Sequence, residues 1–439
     1  MDQVYLTVIF LVTLFFLLGS GVWVALSLLG VALVGMELFT SRPAGDAMIT
    51  TIWTGASSWS LTALPLFIWM GEILFRTRLS EDMFRGLSPW MSKLPGRLLH
   101  TNIVGCTIFA AVSGSSAATM TTVGKMAIPE LRRRRYPERL IIGTLAGAGT
   151  LGLMIPPSLT LIVYGVTINR SISKLFIAGI LPGLTLAALF MGYVAIWSFM
   201  RRDEVAELEP EPERTFMEKV RESRYLIPVL LLVIGVLGSI YTGLATATEA
   251  ASFGVVGALI LALSQGSLDW KSFQTSLMGA VKTSCMIAFI LMGAAFLSLS
   301  MGFTGLPRAL AGWIADMHLS PYALIAALTL FYIVIGCFLD GISSVVLTMA
   351  VVEPMVREAG IDLIWFGIFI VVVVEMAQIT PPVGFNLFVM QGMTGHQILY
   401  VARTALPFFL IMVLMVILLV AVPELATYLP ENMRQTPGG

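Results

Sequence analysis

LMIPPS, residues 153–158, and QITPPV, residues 378–383, decide how this chain folds, because each sets a Pro-Pro step inside an otherwise apolar run. Two adjacent prolines remove two backbone donors and forbid a continuous helical ladder, so carbonyls of the preceding turn lose their partners. In hydrocarbon such oxygens must face protein, water or an ion, and with Ser or Thr oxygens nearby a desolvated Na⁺ is a natural occupant. A single Pro-Pro step reads equally well as a plain kink. Repetition at matching positions favours a built site.

The repetition extends beyond the two motifs. Pro129, Pro156, Pro157 and Pro182 recur as Pro354, Pro381, Pro382 and Pro407, each displaced by 225 residues (354 − 129, 381 − 156, 382 − 157, 407 − 182). Working outward, apolar runs fall at about 4–19, 21–40 and 58–75, followed by the basic amphipathic stretch FRGLSPWMSKLPGRLLH, which reads as interfacial. Residues 101–131 are apolar at both ends and small and hydroxylated in the middle, with Lys93 and Arg97 before them and Arg132 to Arg135 after. Basic flanks on both sides suit a hairpin that enters and leaves by one membrane face. The broken run Leu140 to about Ile168 and a span at about 172–200 complete the first half. The pattern restarts at Tyr225 with spans at about 226–241, 245–264 and 275–301. A short amphipathic piece (Leu306 to Met317), a Gly-Ser-centred segment (Tyr322 to Pro354), the second broken run (Leu363 to Met393) and a last span at about 398–422 follow.

An outside amino terminus puts most Lys and Arg in the cytoplasm, and the second half then begins inside where the first began outside. The expected fold is an all-α polytopic membrane protein, an inverted-topology repeat with two re-entrant helical hairpins and two Pro-Pro-broken helices. Its predicted units are a first repeat over 1–200, a charged cytoplasmic linker over 201–224, a second repeat over 225–423 and a periplasmic tail over 424–439.

Composition agrees. Hydrophobic residues are 57% and charged residues 12% of the chain, with mean hydropathy +0.90, a balance that a water-soluble globule of this length could not tolerate. The opening MDQVYLTVIFLVTLFFLL lacks a basic leader and a small-residue cleavage site, so it reads as a retained span. Net charge is zero, which disfavours nucleic acid as a partner. Cys106, Cys285 and Cys337 lie far apart in apolar segments, against both a disulfide framework and a zinc cluster. Scattered His100, His318 and His396, with no H-E-x-x-H, G-x-S-x-G or Walker loop, give no enzyme chemistry.

The predicted hairpin tips are VSGSSAAT (Val112 to Thr119) and FLDGISS (Phe338 to Ser344). A half-helix starting there presents free N–H groups and a positive dipole end to an anion. Ser115, Ser116 and Asp340 are therefore candidate substrate contacts, with turn chemistry as the alternative for each. Asn386, one turn past the second Pro-Pro, is a further candidate, and Leu161 stands at its repeat-related position. The intramembrane acids Glu72, Glu249 and Glu375 are open to two readings: a proton relay, or a structural pair with Lys125, Lys282 or a helix terminus.

GSSAAT, TATEAA, the two Pro-Pro breaks and the 225-residue repeat together resemble the large membrane subunit of the tripartite ATP-independent periplasmic (TRAP) transporters, over essentially the whole chain. One departure stands out: the usual T-P-T-E of that family is Thr246-Ala247-Thr248-Glu249 here. The resemblance implies an elevator-type, sodium-coupled importer of carboxylates in the bacterial inner membrane. It also implies a periplasmic substrate-binding protein and a small four-helix membrane subunit as partners, besides the surrounding lipid. Carried over by position, one Na⁺ site would fall on Ser113, Gly152, Ile155 and Pro156, and its inverted partner on Gly336, Ala377, Thr380 and Val383. Ala377 offers only its carbonyl. Spans one and two with their counterparts at 226–264 would form a scaffold, the hairpins and broken helices a moving domain, and amphipathic arms at 84–98 and 306–317 would brace the two. A stand-alone sodium/anion symporter of related architecture is the alternative. C4-dicarboxylates, sialic acid, other sugar acids and keto acids remain open as cargo, and so do the number of sodium ions and the oligomeric state.

Overall fold

The computed structural model describes residues 3–76, 79–201, 215–305 and 320–433, together with positions 204, 309 and 312. Every regular element among them is helical. Apart from Ala309 and Gly312, the amphipathic piece expected over Leu306 to Met317 lies outside the described residues, as do most of the charged linker and the end of the tail, 434–439.

The first half runs α1 (Gln3–Gly19), α2 (Val24–Phe39), α3 (Ala44–Ala56), a 3₁₀ turn (Trp59–Thr62), α4 (Ala63–Phe75) and α5 (Leu79–Met91). It continues with α6 (Leu99–Ser113), α7 (Ser116–Arg133), α8 (Glu138–Gly149), α9 (Leu151–Met154), α10 (Leu159–Thr167) and α11 (Ile172–Met200). The second half has α12 (Phe216–Ser223), α13 (Ile227–Tyr241), α14 (Ala247–Ser264), α15 (Trp270–Thr304) and α16 (Pro321–Gly336). After it come α17 (Gly341–Glu358), α18 (Leu363–Gln378), α19 (Phe385–Thr394), α20 (Ile398–Ala421) and α21 (Glu424–Glu431). The apolar pattern assigned nothing to α3, whose polar Asp46, Thr50 and Thr54 recur every fourth residue and line a cavity.

The helix order repeats. Helices α7 and α17 begin at 116 and 341, and α8 and α18 at 138 and 363, the same 225-residue shift as the prolines (341 − 116, 363 − 138). Both Pro-Pro steps end a helix: α9 stops before Ile155 and α18 before Ile379, and both Pro-Pro peptides are cis. Ser158 reopens the first, its hydroxyl accepting the Leu161 N–H at 3.3 Å.

Close helix approach is carried by small residues. Gly147 of α8 lies under the Phe408 ring of α20, where an added Cβ would come within 2.4 Å of it. Phe408 in turn meets Phe190 and Tyr193 edge to face, each at 5.2 Å between ring centroids. The 30-residue stretch Glu138–Thr167 is long and apolar enough to cross a membrane and is wholly buried in the protein, whereas α14 and α20 are less than half covered. Leu231, Ile234, Phe253 and Ile260 expose about 60% of their surface on α13 and α14, an apolar face suited to lipid. The chain is a multi-pass membrane protein.

Candidate functional site

The site begins at the turn between α6 and α7. Gly114 sits in the left-handed region (φ 60°), and Ser115 caps α7, its hydroxyl accepting the Ala118 N–H at 3.5 Å. The adjacent Ser113 hydroxyl lies 2.6 Å from that of Thr119, which fixes both side chains across the turn. This tip rests directly on the first Pro-Pro break. The Leu159 N–H donates to Gly114 O at 3.3 Å, and an added Cβ on Gly152 would stand 2.6 Å from Ser115 O. The turn thus touches Gly152 before the break and Leu159 after it. Ile155 packs its side chain where Gly183 leaves room.

The second half builds the counterpart. The Gly384 N–H donates to Cys337 O at 3.1 Å, and Gly384 is the repeat mate of Leu159 (384 − 159 = 225). Gly336 touches Ala377, an added Cβ falling 2.5 Å from that methyl. At the break, the carbonyls of Gln378 and Thr380 converge within 2.9 Å and 2.7 Å of the point where a Gly384 side chain would start, which makes glycine the residue that fits there. The Thr380 hydroxyl donates to Met376 O at 2.7 Å, and the Ala377 carbonyl accepts the Thr380 N–H at 3.1 Å. Val383 is half-buried between Pro382 and Gly384. Among the described residues no three His, Cys, Asp or Glu side chains gather, and the polar atoms at the second break are carbonyl and hydroxyl oxygens. Oxygen donors of this kind are hard ligands, unlike the thiolate and imidazole that select softer metals.

The four substrate candidates separate. Ser115, with Ser113, Ala117, Ala118 and Thr121, lines a cavity of about 280 Å³ closed on the other side by Glu72 and Phe75 of α4 and Thr283 of α15. Ser116 points away, and its hydroxyl donates to Glu375 of α18. The Asp340 carboxylate caps α17, accepting the N–H groups of Ile342 and Ser343 at 3.1 Å and 3.3 Å, so it fills the place an anion would take. Asn386 is fully buried, with neither amide atom bonded among the described residues. A larger cavity of about 900 Å³ lies at the far end of α10, among α3, α15, Thr167 and Asn169. It holds none of the predicted residues.

Two of the three intramembrane acids have a local partner and the third is paired across the halves. Glu72 accepts from Arg76 one turn on at 2.9 Å. Glu249 forms a capping box with Thr246, taking its N–H at 2.8 Å and returning its own N–H to the hydroxyl at 3.3 Å. The Ala247 departure therefore leaves the cap intact. Glu375 has one oxygen on Ser116 and the other buried without a partner among the described residues. This contact and the wall formed by Thr121 and Thr283 were not legible in the sequence, since each joins residues from distant segments.

Residues 11–425 match the sequence model of the DctM component of the tripartite ATP-independent periplasmic transporters. The chain belongs to that family. As a TRAP large permease it is similar to the C4-dicarboxylate TRAP transporter large permease of Pseudomonas aeruginosa, 32% identical, with 85% of this chain and 86% of that one covered. It also resembles the ectoine/5-hydroxyectoine large permease of Ruegeria pomeroyi (28%, covering 95% and 97%) and the 2,3-diketo-L-gulonate large permease of Escherichia coli (29%, covering 91% and 93%). These relatives are transporter permeases, not enzymes. Among solved structures, the YdaH transporter of Alcanivorax borkumensis shares the fold, with a TM-score of 0.67 over 93% of this chain and 97% of that one, at 13% identity.

Proposed function

We propose that this TRAP large permease imports a carboxylate across the bacterial inner membrane, driven by Na⁺ and working with a small four-helix membrane subunit and a periplasmic binding protein. The observation that carries the reading is the pair of bonds from repeat-related donors, Leu159 N–H to Gly114 O and Gly384 N–H to Cys337 O, two residues before the mate of Gly114, which seat each hairpin turn on a broken helix. In this reading the two turns are re-entrant, the two halves are inverted, and Na⁺ is held near Ser113, Gly152, Ile155 and Pro156 and near Gly336, Ala377, Thr380 and Val383. The cargo carboxylate enters the cavity at Ser115, because that helix start is capped by a neutral hydroxyl whereas α17 is already capped by Asp340. Hairpins and broken helices move as an elevator against a scaffold of α1, α2, α13 and α14.

A thermal-shift screen of carboxylates on the binding protein names the cargo. Uptake is then measured in proteoliposomes holding both membrane subunits. The reading requires that uptake need the binding protein and collapse when an inward Na⁺ gradient is replaced by K⁺. Uptake without the binding protein would instead favour the stand-alone symporter.

A further inference from the structure

The cavity at Ser115 is walled by the first two turns of α7 on one side and by α4 and α15 on the other. On the α7 wall, Ala117, Ala118 and Thr121 share a helical face, and Lys125 continues it one turn on. The Lys125 ammonium lies over the ring of Phe75, 5.1 Å from its centroid, and Phe75 is itself part of the cavity wall. Lys125 is exposed. Arg76, which directly follows α4, is already bonded to Glu72. Nine residues separate Ser116 from Lys125, about 13 Å along the axis. Helical side chains lean toward the amino terminus, so the Lys125 stem runs back along α7 toward the cavity wall at Phe75.

Resting on the carboxylate reading above, we propose that Lys125 is a specificity-determining residue: it pairs with a second anionic group on the cargo while the first lies at Ser115, and Phe75 holds the ammonium in place. A plain structural reading, in which Lys125 only carries its charge to the aqueous edge, predicts no preference between cargoes of equal size and different charge.

Succinate and succinamate test this, since they differ by one charge at nearly constant shape. Thermal stabilisation of the purified permease with its small subunit is titrated with each. The wild type favours succinate; Lys125→Met raises the succinate concentration for half-maximal stabilisation about tenfold, leaves succinamate unchanged, and Lys125→Arg restores the preference. Phe75→Leu keeps the charge and loses part of it. A wild type that responds equally to both, or a Lys125→Met protein that still prefers succinate, overturns the role of Lys125 and leaves the carboxylate reading standing. A wild type that responds to neither overturns the role of Lys125, and one that also fails to respond to every carboxylate bound by the binding protein overturns the carboxylate reading as well.

Discussion

The Ser116 hydroxyl donates to the Glu375 carboxylate, joining the first residue of α7 to a fully buried acid on the broken helix of the other half. Its repeat mate Gly341, the first residue of α17, also approaches the other half: an added Cβ would come within 3.2 Å of the Leu153 methyl on the first broken helix, besides 3.1 Å of Val374 in its own half. Each half's hairpin thus seats on the broken helix of the other half as well as on its own. The two breaks are thus linked by contacts that cross between the halves.

Removing one partner of a buried hydrogen bond leaves the other unpaired, which costs more than the bond itself contributes. Ser116→Ala is expected to destabilise the purified protein by about 1–3 kcal/mol. Adding Glu375→Leu should recover part of that loss, because both polar groups are then gone. Thermal denaturation of both single mutants and the double mutant checks this, and strictly additive losses would refute the coupling.

Gly152→Ala would push a methyl against Ser115 O and the Ser116 backbone, both 2.6 Å away, and backbone cannot step aside as a side-chain end can. The expected cost is about 1–3 kcal/mol, with loss of transport. Gly192→Ala is the control, since nothing lies within 4 Å of that position. Comparing the unfolding temperatures and uptake of the two variants tests whether the hairpin turn truly rests on α9.

Thr246→Ala removes a capping box and should cost about 0.5–2 kcal/mol. Ala247→Pro goes the other way. It places proline at the first helical position, where no N–H bond is lost, and Thr246 already has φ −70° and ψ 166°, a conformation that a following proline accepts. A gain of about 0.4–1 kcal/mol is expected from the stiffer unfolded chain. A loss on thermal denaturation would mean the Thr-Ala-Thr-Glu turn differs from the proline form.

Thr380→Val removes a hydroxyl that donates to Met376 O of α18 beside the second break. Stability should change by about 1 kcal/mol or less. The Na⁺ concentration needed for half-maximal uptake should rise, and an unchanged sodium response would count against the second cation site.

Periodicity and punctuation carried the architecture. Pro156, Pro157, Pro381 and Pro382 break helices wherever they fall in the fold, because the missing donors are local chemistry, and the repeat of prolines gave the repeat of helices. The same local logic made Ser115 and Asp340 turn residues, and both are helix caps. What those residues do beyond capping was not local. Ser115 faces a cavity and Ser116 faces Glu375, although they are adjacent and chemically alike, because a step along a helix start turns the side chain by about 100°.

Sequence alone therefore determined a helical membrane protein interrupted twice at matching places, since hydropathy and proline act through the bilayer and the chain's own backbone. Only the tertiary structure decided which interruption touches which hairpin, which acid is paired with a neighbour and which with the opposite half, and which hydroxyls share a cavity. Those relationships link residues up to 259 positions apart, and contact at that separation is set by packing of whole helices, not by any pattern within one of them.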